Sequence, residues 1–210
     1  MEVWARKVSA KLIAGIAVVF GRLGIHANVL TVAGCAIQIG VGILLAYGFH
    51  RLGGFLLAFG ATFDAVDGAL ARQMGGATKF GAFLDSVLDR VSESAILGGL
   101  AWWYMALGEP VLAMLCFLAI VGSVLVSYAR ARAEAVGVDC RVGFFTRVER
   151  TLLVIVVLIF GWTTIGVWIL AVGSLLTVLH RVVHVYVHAR GEALATEEQP
   201  VPMEEPKPAV

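Results

Sequence analysis

Six long apolar runs dominate this chain, and they leave few folds open to it. They cover roughly residues 29–49, 53–72, 82–106, 110–134, 148–162 and 165–187. A helix needs about 20 mostly apolar residues to cross the hydrocarbon of a bilayer. Composition agrees: 60% of the 210 residues are hydrophobic, 15% are charged, and mean hydropathy is +0.89. Soluble domains are about 45–50% apolar and roughly 25% charged. A disordered chain would be poor in Ile, Leu, Val and Phe. A disulfide scaffold is excluded, since the three cysteines are an odd number and Cys35 and Cys116 lie inside apolar runs. A net charge of +1 gives no reason to expect a nucleic-acid partner. The expectation is an all-α integral membrane protein with six transmembrane helices in one domain.

The two ends differ from the middle. In residues 1–23, Arg6, Lys7, Lys11 and Arg22 interrupt Trp4, Leu12, Ile16, Val19 and Phe20. Gly21-Arg22-Leu23 is not a small-residue cleavage site. The segment therefore reads as an amphipathic helix lying in the membrane interface. Residues 24–190 form the membrane domain. Residues 191–210 place Glu197, Glu198, Glu204 and Glu205 among Pro200, Pro202, Pro206 and Pro208, which predicts a disordered tail. Six crossings put both termini and the loops 73–81 and 131–147 on one side. Of the sixteen Lys and Arg, only Arg51 falls on the other side. The positive-inside rule makes the crowded side cytoplasmic.

Charges inside a membrane segment are costly and point to function. Asp64 and Asp67 are spaced i,i+3, and Asp85 and Asp89 i,i+4, so each pair shares a helix face. Gly75 and Gly76 lie in the short link, and antiparallel neighbours would bring all four carboxylates together. Four ionised carboxylates repel one another unless a cation joins them. All-oxygen donors suit a hard ion, so Mg²⁺ or Mn²⁺ is expected, with room for two ions. The plainer reading is solvated helix ends or ion pairs with Arg72 and Arg90, which suits one Asp better than four in register. An EF-hand does not fit, because its ligands alternate within a loop. Gly68, Ala71 and Gly81 allow close approach to backbone, although membrane helices also use glycine for packing. Arg72 adds a fork that matches phosphate. Together these describe a diphosphate site.

The stretch Asp64-Ala-Val-Asp67-Gly68-Ala-Leu-Ala71-Arg72, eight residues, then Gly81-Ala-Phe-Leu-Asp85-Ser-Val-Leu-Asp89 resembles the signature of the CDP-alcohol phosphotransferases at every fixed position. That resemblance implies a six-span core with an amphipathic N-terminal helix, a homodimer, and transfer of a phosphatidyl or archaetidyl group from CDP-diacylglycerol or CDP-archaeol with release of CMP. It implies that Asp64, Asp67 and Asp85 are metal ligands and that Asp89 is both ligand and general base. It implies that Gly68, Ala71, Arg72 and Gly81 contact the CDP moiety. Ala27-Asn28-Val29-Leu30-Thr31 resembles the family's motif at the start of the first span, which adds Asn28 and Thr31 to the nucleotide contacts. The family often has Pro where Ala27 stands.

A second polar cluster bears on the acceptor. Ser127, Arg130, Arg132 and Glu134 end the fourth span; Arg141, Arg147, Glu149 and Arg150 follow; Arg181 lies in the last span. The plain reading is a positive-inside loop that touches anionic lipid, and Arg130 with Glu134 is an ordinary i,i+4 pair. Arg150 and Arg181 fit that reading less well, because they abut or enter apolar runs. The cluster resembles the prokaryotic phosphatidylinositol-phosphate synthase branch, which implies that Ser127, Arg130, Arg150 and Arg181 bind the phosphate of inositol 1-phosphate. Lys is common there where Arg130 stands. Glycerol 3-phosphate is the runner-up acceptor, because it too carries a phosphate. His180, His184 and His188 form an i,i+4,i+8 stripe without a carboxylate partner, read here as an ordinary helix end. Trp102, Trp103, Tyr104 and Trp162 read as an interfacial aromatic belt. An intramembrane prenyltransferase would need a second Asp motif in the other half of the chain. An acidic-site ion transporter would not explain Arg72, Gly81 and the separate basic cluster.

Overall fold

A computed structural model describes the backbone of residues 26–73 and 78–197; of residues 27, 62–73 and 192–197 it describes the helical backbone only. These residues form six α-helices: α1 (Ala27–Ala46), α2 (His50–Gln73), α3 (Lys79–Ala106), α4 (Pro110–Ala135), α5 (Arg147–Phe160) and α6 (Thr163–Glu197). The expected interfacial helix over 1–23 lies outside the described residues, as does the tail from 198 onward. Helix α6 runs to Glu197 and so takes in the first seven residues of the tail expected from 191.

Local chemistry explains the breaks. Thr78 caps α3, its hydroxyl accepting from the Gly81 N–H at 2.9 Å. Helix α3 stops before Gly108, whose φ of +75° suits glycine, and Pro110 opens α4 at a first-turn position that needs no N–H. Helix α5 closes on Gly161 in the left-handed region.

Among the described residues, three helices are long and apolar enough to cross a membrane: Asn28–Ala46, Pro110–Ala135 and Thr163–Gly191. Helix α5 has only 14 residues, about 21 Å at 1.5 Å per residue. Helix α3 is longer, but Lys79, Asp85, Asp89, Arg90 and Glu93 crowd its first half. Apolar side chains such as Phe55, Phe59, Phe117 and Leu179 stand exposed around the bundle, as lipid-facing residues must. The chain is thus an integral membrane protein.

Helix α1 packs against both α2 and α3; α4 packs against α3 and α6; α5 packs against α2 and α6. The core runs through Leu45, Leu57, Leu97, Leu100, Cys116, Leu158 and Leu170. Tyr104 is buried in it and donates its hydroxyl to Thr163 at 3.0 Å. The α1–α3 contact is the tightest. A Cβ on Gly42 would meet the Ala95 carbonyl oxygen at 2.4 Å, and one on Gly99 would meet the Gly42 carbonyl oxygen at 2.0 Å. Only glycine lets these backbones touch.

Candidate active site

The first turns of α1 and α3 converge. A Cβ on Gly81 would fall 2.9 Å from the Asn28 Oδ1 and 3.0 Å from the Thr78 Oγ1, so Asn28 lies directly against Gly81. Thr31, three residues on, shares the α1 face of Asn28 and is half-buried. Two nucleotide-contact candidates from separate motifs, Asn28 and Gly81, are therefore neighbours. Helix N-termini present unpaired backbone N–H groups, the usual seat for phosphate.

Asp85 and Asp89 follow one and two turns into α3, and both are half-buried. Asp64, Asp67, Gly68, Ala71 and Arg72 fall on the last turns of α2, where the backbone is helical and the side chains lie outside the described residues. The sharing of a helix face within each Asp pair thus follows from the helical backbone of α2 and α3, and the meeting of all four carboxylates falls outside the description.

A polar ladder joins α3 to α5. Asp89 Oδ1 pairs with Arg147 Nη2 at 2.6 Å, and its Oδ2 lies 3.7 Å from Arg90 Nη1. One turn deeper, Glu93 takes Arg150 side-on, with Oε1 accepting from Nε at 2.6 Å and Oε2 from Nη2 at 3.0 Å. The spacing makes this possible: Asp89 and Glu93 are i,i+4 on one helix, and Arg147 and Arg150 are i,i+3 on the other. Arg150 also donates through Nη1 to the Phe145 carbonyl at 2.9 Å and is 1% exposed. Ser123 of α4 donates its hydroxyl to Glu93 Oε2. Asp89, Glu93, Arg147, Arg150, Gln38 and Thr151 line a cavity of about 30 Å³ whose remaining wall is apolar. That volume holds roughly two waters.

The other acceptor candidates sit nearby in different states. Arg181 is buried, donating through Nε to the Val142 carbonyl at 3.0 Å and through Nη1 to the Val126 carbonyl. It ties the segment before α5 to α4, and it lies within electrostatic reach of Arg130 and Arg150. Ser127 is half-buried beside Val126. Arg130 is exposed and pairs with Glu134 at 2.9 Å. Gly143, in the segment that Arg181 holds, has a φ of +115°, and a Cβ there would strike Thr177 at 2.7 Å.

Sequence reasoning gave no role to Glu93, Ser123 or Gln38, and it placed Arg147 in the basic cluster without naming it as a contact. Glu93 was findable: it continues the Asp85, Asp89 step by four and is a carboxylate inside an apolar run. Ser123 carries no such signal, because its partner is 30 residues away on another helix. In the histidine stripe, His184 Nε2 lies 3.1 Å from the Asp139 carbonyl, and the rings of His184 and His188 are 4.2 Å apart.

Comparison with known proteins gives one answer. The family model described as CDP-alcohol phosphatidyltransferase matches residues 24–179. The archaetidylinositol phosphate synthase of Pyrococcus horikoshii is 41% identical over 165 residues, which cover 76% of this chain and 83% of that protein. The crystal structure of the Mycobacterium tuberculosis phosphatidylinositol phosphate synthase with CDP-DAG bound is 32% identical with a TM-score of 0.80, over 84% of this chain and 94% of that one. A second structure of that enzyme, in complex with manganese and citrate, gives 34% identity and a TM-score of 0.77 over 83% and 88%.

Proposed function

Because the chain belongs to the CDP-alcohol phosphatidyltransferase family, we propose that it transfers a phosphatidyl or archaetidyl group from a CDP-linked lipid to inositol 1-phosphate, releasing CMP. The observation that carries the acceptor assignment is Arg150, a buried guanidinium lining the cavity that also holds Asp89. Arg181, within reach of Arg150, adds cationic charge beside it. An acceptor with a phosphate matches such a cluster; an uncharged alcohol does not need it. The relatives named for inositol phosphate products support the same reading.

The residues have separable tasks. Asn28, Thr31, Gly68, Ala71, Arg72 and Gly81 hold the CDP moiety. Asp64, Asp67, Asp85 and Asp89 are the set that would hold Mg²⁺ or Mn²⁺, as two ions; their hard oxygen donors fit such ions, and the related enzyme has been crystallised with manganese. A divalent ion bound there neutralises the diphosphate and the charge developing on CMP. Asp89, oriented by Arg147 at 2.6 Å, takes the proton from the acceptor hydroxyl. The hydroxyl oxygen bonds to the phosphorus that bears the lipid, the bond from that phosphorus to the bridging oxygen breaks, and CMP leaves. Ser127, Arg130, Arg150 and Arg181 hold the acceptor phosphate throughout. Positioning of this kind supplies most of the rate in phosphoryl transfer.

In the membrane, this reading takes all six helices as spans, residues 1–23 as an interfacial helix, and the active site and both termini as cytoplasmic, in a homodimer. The short α5 crosses against α2 and α6, and the charged half of α3 lies on a helix that packs against α1 and α4. The deciding experiment measures CMP release by the purified protein with CDP-diacylglycerol and Mg²⁺. Inositol 1-phosphate, glycerol 3-phosphate and serine are compared, beside Asp89→Asn. We expect release with inositol 1-phosphate and a loss of about 10²–10⁴-fold in the variant. Release with glycerol 3-phosphate alone would replace the acceptor and keep the chemistry. Release with none of the three would refute the assignment.

A further inference from the structure

Glu93 is the least expected charge in the bundle. It sits beyond the Asp motif, one turn below Asp89, beside the buried residues Ser92, Ile96 and Leu97. Its two oxygens accept three hydrogen bonds, from Arg150 Nε, Arg150 Nη2 and the Ser123 hydroxyl. Arg150 in turn spends a third N–H on the Phe145 carbonyl. A guanidinium carries five N–H directions in a fixed plane. Three of them are taken among the described residues, which leaves one on each Nη nitrogen of a side chain lining the cavity. The plane is held by α3 through Glu93, by α4 through Ser123, and by the segment that leads into α5 through Phe145. No rotation of Arg150 is possible without breaking a charge-assisted bond.

From this geometry we infer that Glu93, oriented by Ser123, is a positioning residue that fixes the Arg150 guanidinium for the acceptor's phosphate. The inference rests on the reading of Arg150 as a phosphate contact. It makes a claim that simple charge balance does not. If Glu93 only neutralised Arg150, removing its charge would leave a stronger cation and tighten anion binding. If Glu93 positions Arg150, removing its charge loosens the fork and weakens binding, although the site becomes more positive. The direction of the change in acceptor KM separates the two.

The experiment uses the full chain in detergent with CDP-diacylglycerol and inositol 1-phosphate. It determines kcat and both KM values for the wild type, Glu93→Gln, Glu93→Asp, Ser123→Ala, Arg150→Met and Glu93→Gln/Arg150→Met. We expect Glu93→Gln to raise the acceptor KM by about tenfold to a hundredfold, the worth of one charge-assisted hydrogen bond. The CDP-lipid KM should stay within about twofold, as for a loss confined to one substrate's binding. Glu93→Asp should recover part of the loss. Ser123→Ala, which keeps every charge, should raise the acceptor KM by about threefold to tenfold. In the Arg150→Met background, Glu93→Gln should add nothing to the acceptor KM. An acceptor KM that is unchanged or lowered in Glu93→Gln overturns the proposal. Where Glu93→Gln does not fold, an unchanged acceptor KM in Ser123→Ala does the same. If Arg150→Met itself leaves the acceptor KM unchanged, the phosphate role of Arg150 falls and the positioning role with it. If Arg150→Met raises that KM and Glu93→Gln does not, only the positioning role falls.

Discussion

Helix α3 shows two faces that solve membrane packing in opposite ways. Toward α1 it offers Ala95 and Gly99, and the backbones meet at the van der Waals limit against Gly42. Toward α5 it offers Asp89 and Glu93, which hold Arg147 and Arg150 across a small cavity. The first face meets backbone to backbone and has no room to move. The second tolerates open space and charge because every charge has a partner. In lipid there is little hydrophobic gain from joining two apolar helices, so close packing must supply the rigidity. The α1–α3 seam thus serves as the fixed frame on which the polar face is aimed, as a precise site requires. It also brings Asn28 to Gly81 at one end of the same seam.

The strongest way to break this contrast is to part the seam. Gly99→Leu places a side chain where even a Cβ would lie 2.0 Å from a backbone oxygen. Helix α3 must then move away from α1. We expect a loss on the order of 4–5 kcal/mol or more, seen as the absence of a monodisperse peak on size exclusion in detergent. A well-folded Gly99→Leu protein would show that the seam is not the frame.

The polar face should fail differently. Arg150→Met leaves the half-buried Glu93 charged without its partner, which costs up to about 3–5 kcal/mol. Glu93→Leu/Arg150→Met removes both charges and should regain most of that loss, because the pair is paid for in desolvation. Thermal unfolding of the single and double variants in one detergent checks it. A double variant as unstable as the single one would mean that Phe145 and Ser123, rather than the pair, hold this face together.

Much of this was legible in the sequence, and the exceptions have physical reasons. The apolar run 110–134 became α4 at Pro110–Ala135, and 148–162 became α5 at Arg147–Phe160, since Pro110, Gly108 and Gly161 mark the breaks. Helix α6 outran its apolar stretch because Glu192, Ala193, Leu194 and Ala195 are good helix formers, while His188, Arg190 and Glu192 break the apolar run. Asp85, Asp89, Asn28 and Gly81 could be read from local spacing. Which carbonyls Arg181 would bind, and that Ser123 would reach Glu93, depend on how distant helices cross. Local periodicity carries no such information. The seam glycines were visible as glycines, but only the crossing of α1 over α3 shows which of them touch backbone.

Within the polar face, depth should grade the energetics. Arg147 and Arg150 make similar contacts to carboxylates, at 2.6 Å each, but Arg147 has a 38% exposed side chain and Arg150 a 2% exposed one. Water screens the Arg147 end of the outer pair, and Asp89, its side chain 13% exposed, keeps Arg90 Nη1 at 3.7 Å when Arg147 is removed. Arg147→Ala should therefore cost under about 1 kcal/mol of stability, against the several expected for Arg150→Met. Equal shifts in melting temperature for the two variants would contradict the grading.

The smallest effect should come from the close-packed side, where one titratable group intrudes. His50, at the first residue of α2 and ahead of its apolar run 53–72, stacks edge-on against Trp103 of α3 with ring centroids 4.1 Å apart. Its Nε2 is buried without a hydrogen-bond partner. Burial pulls its pKa below the ordinary 6.5, partly offset by a hydrogen bond with the Leu45 backbone. The folded state thus prefers neutral His50, and the unfolded state binds the proton more readily. Above pH 6.5 neither form is protonated and nothing is lost; as pH falls through 6.5 the unfolded state gains a proton first, and stability declines. The melting temperature in detergent should drop between pH 7.5 and 5.5, and His50→Gln should flatten that slope without changing acceptor KM. A slope unchanged in His50→Gln would place the acid sensitivity among the paired charges of the other face, and the division of labour between the two faces of α3 would then extend to pH as well.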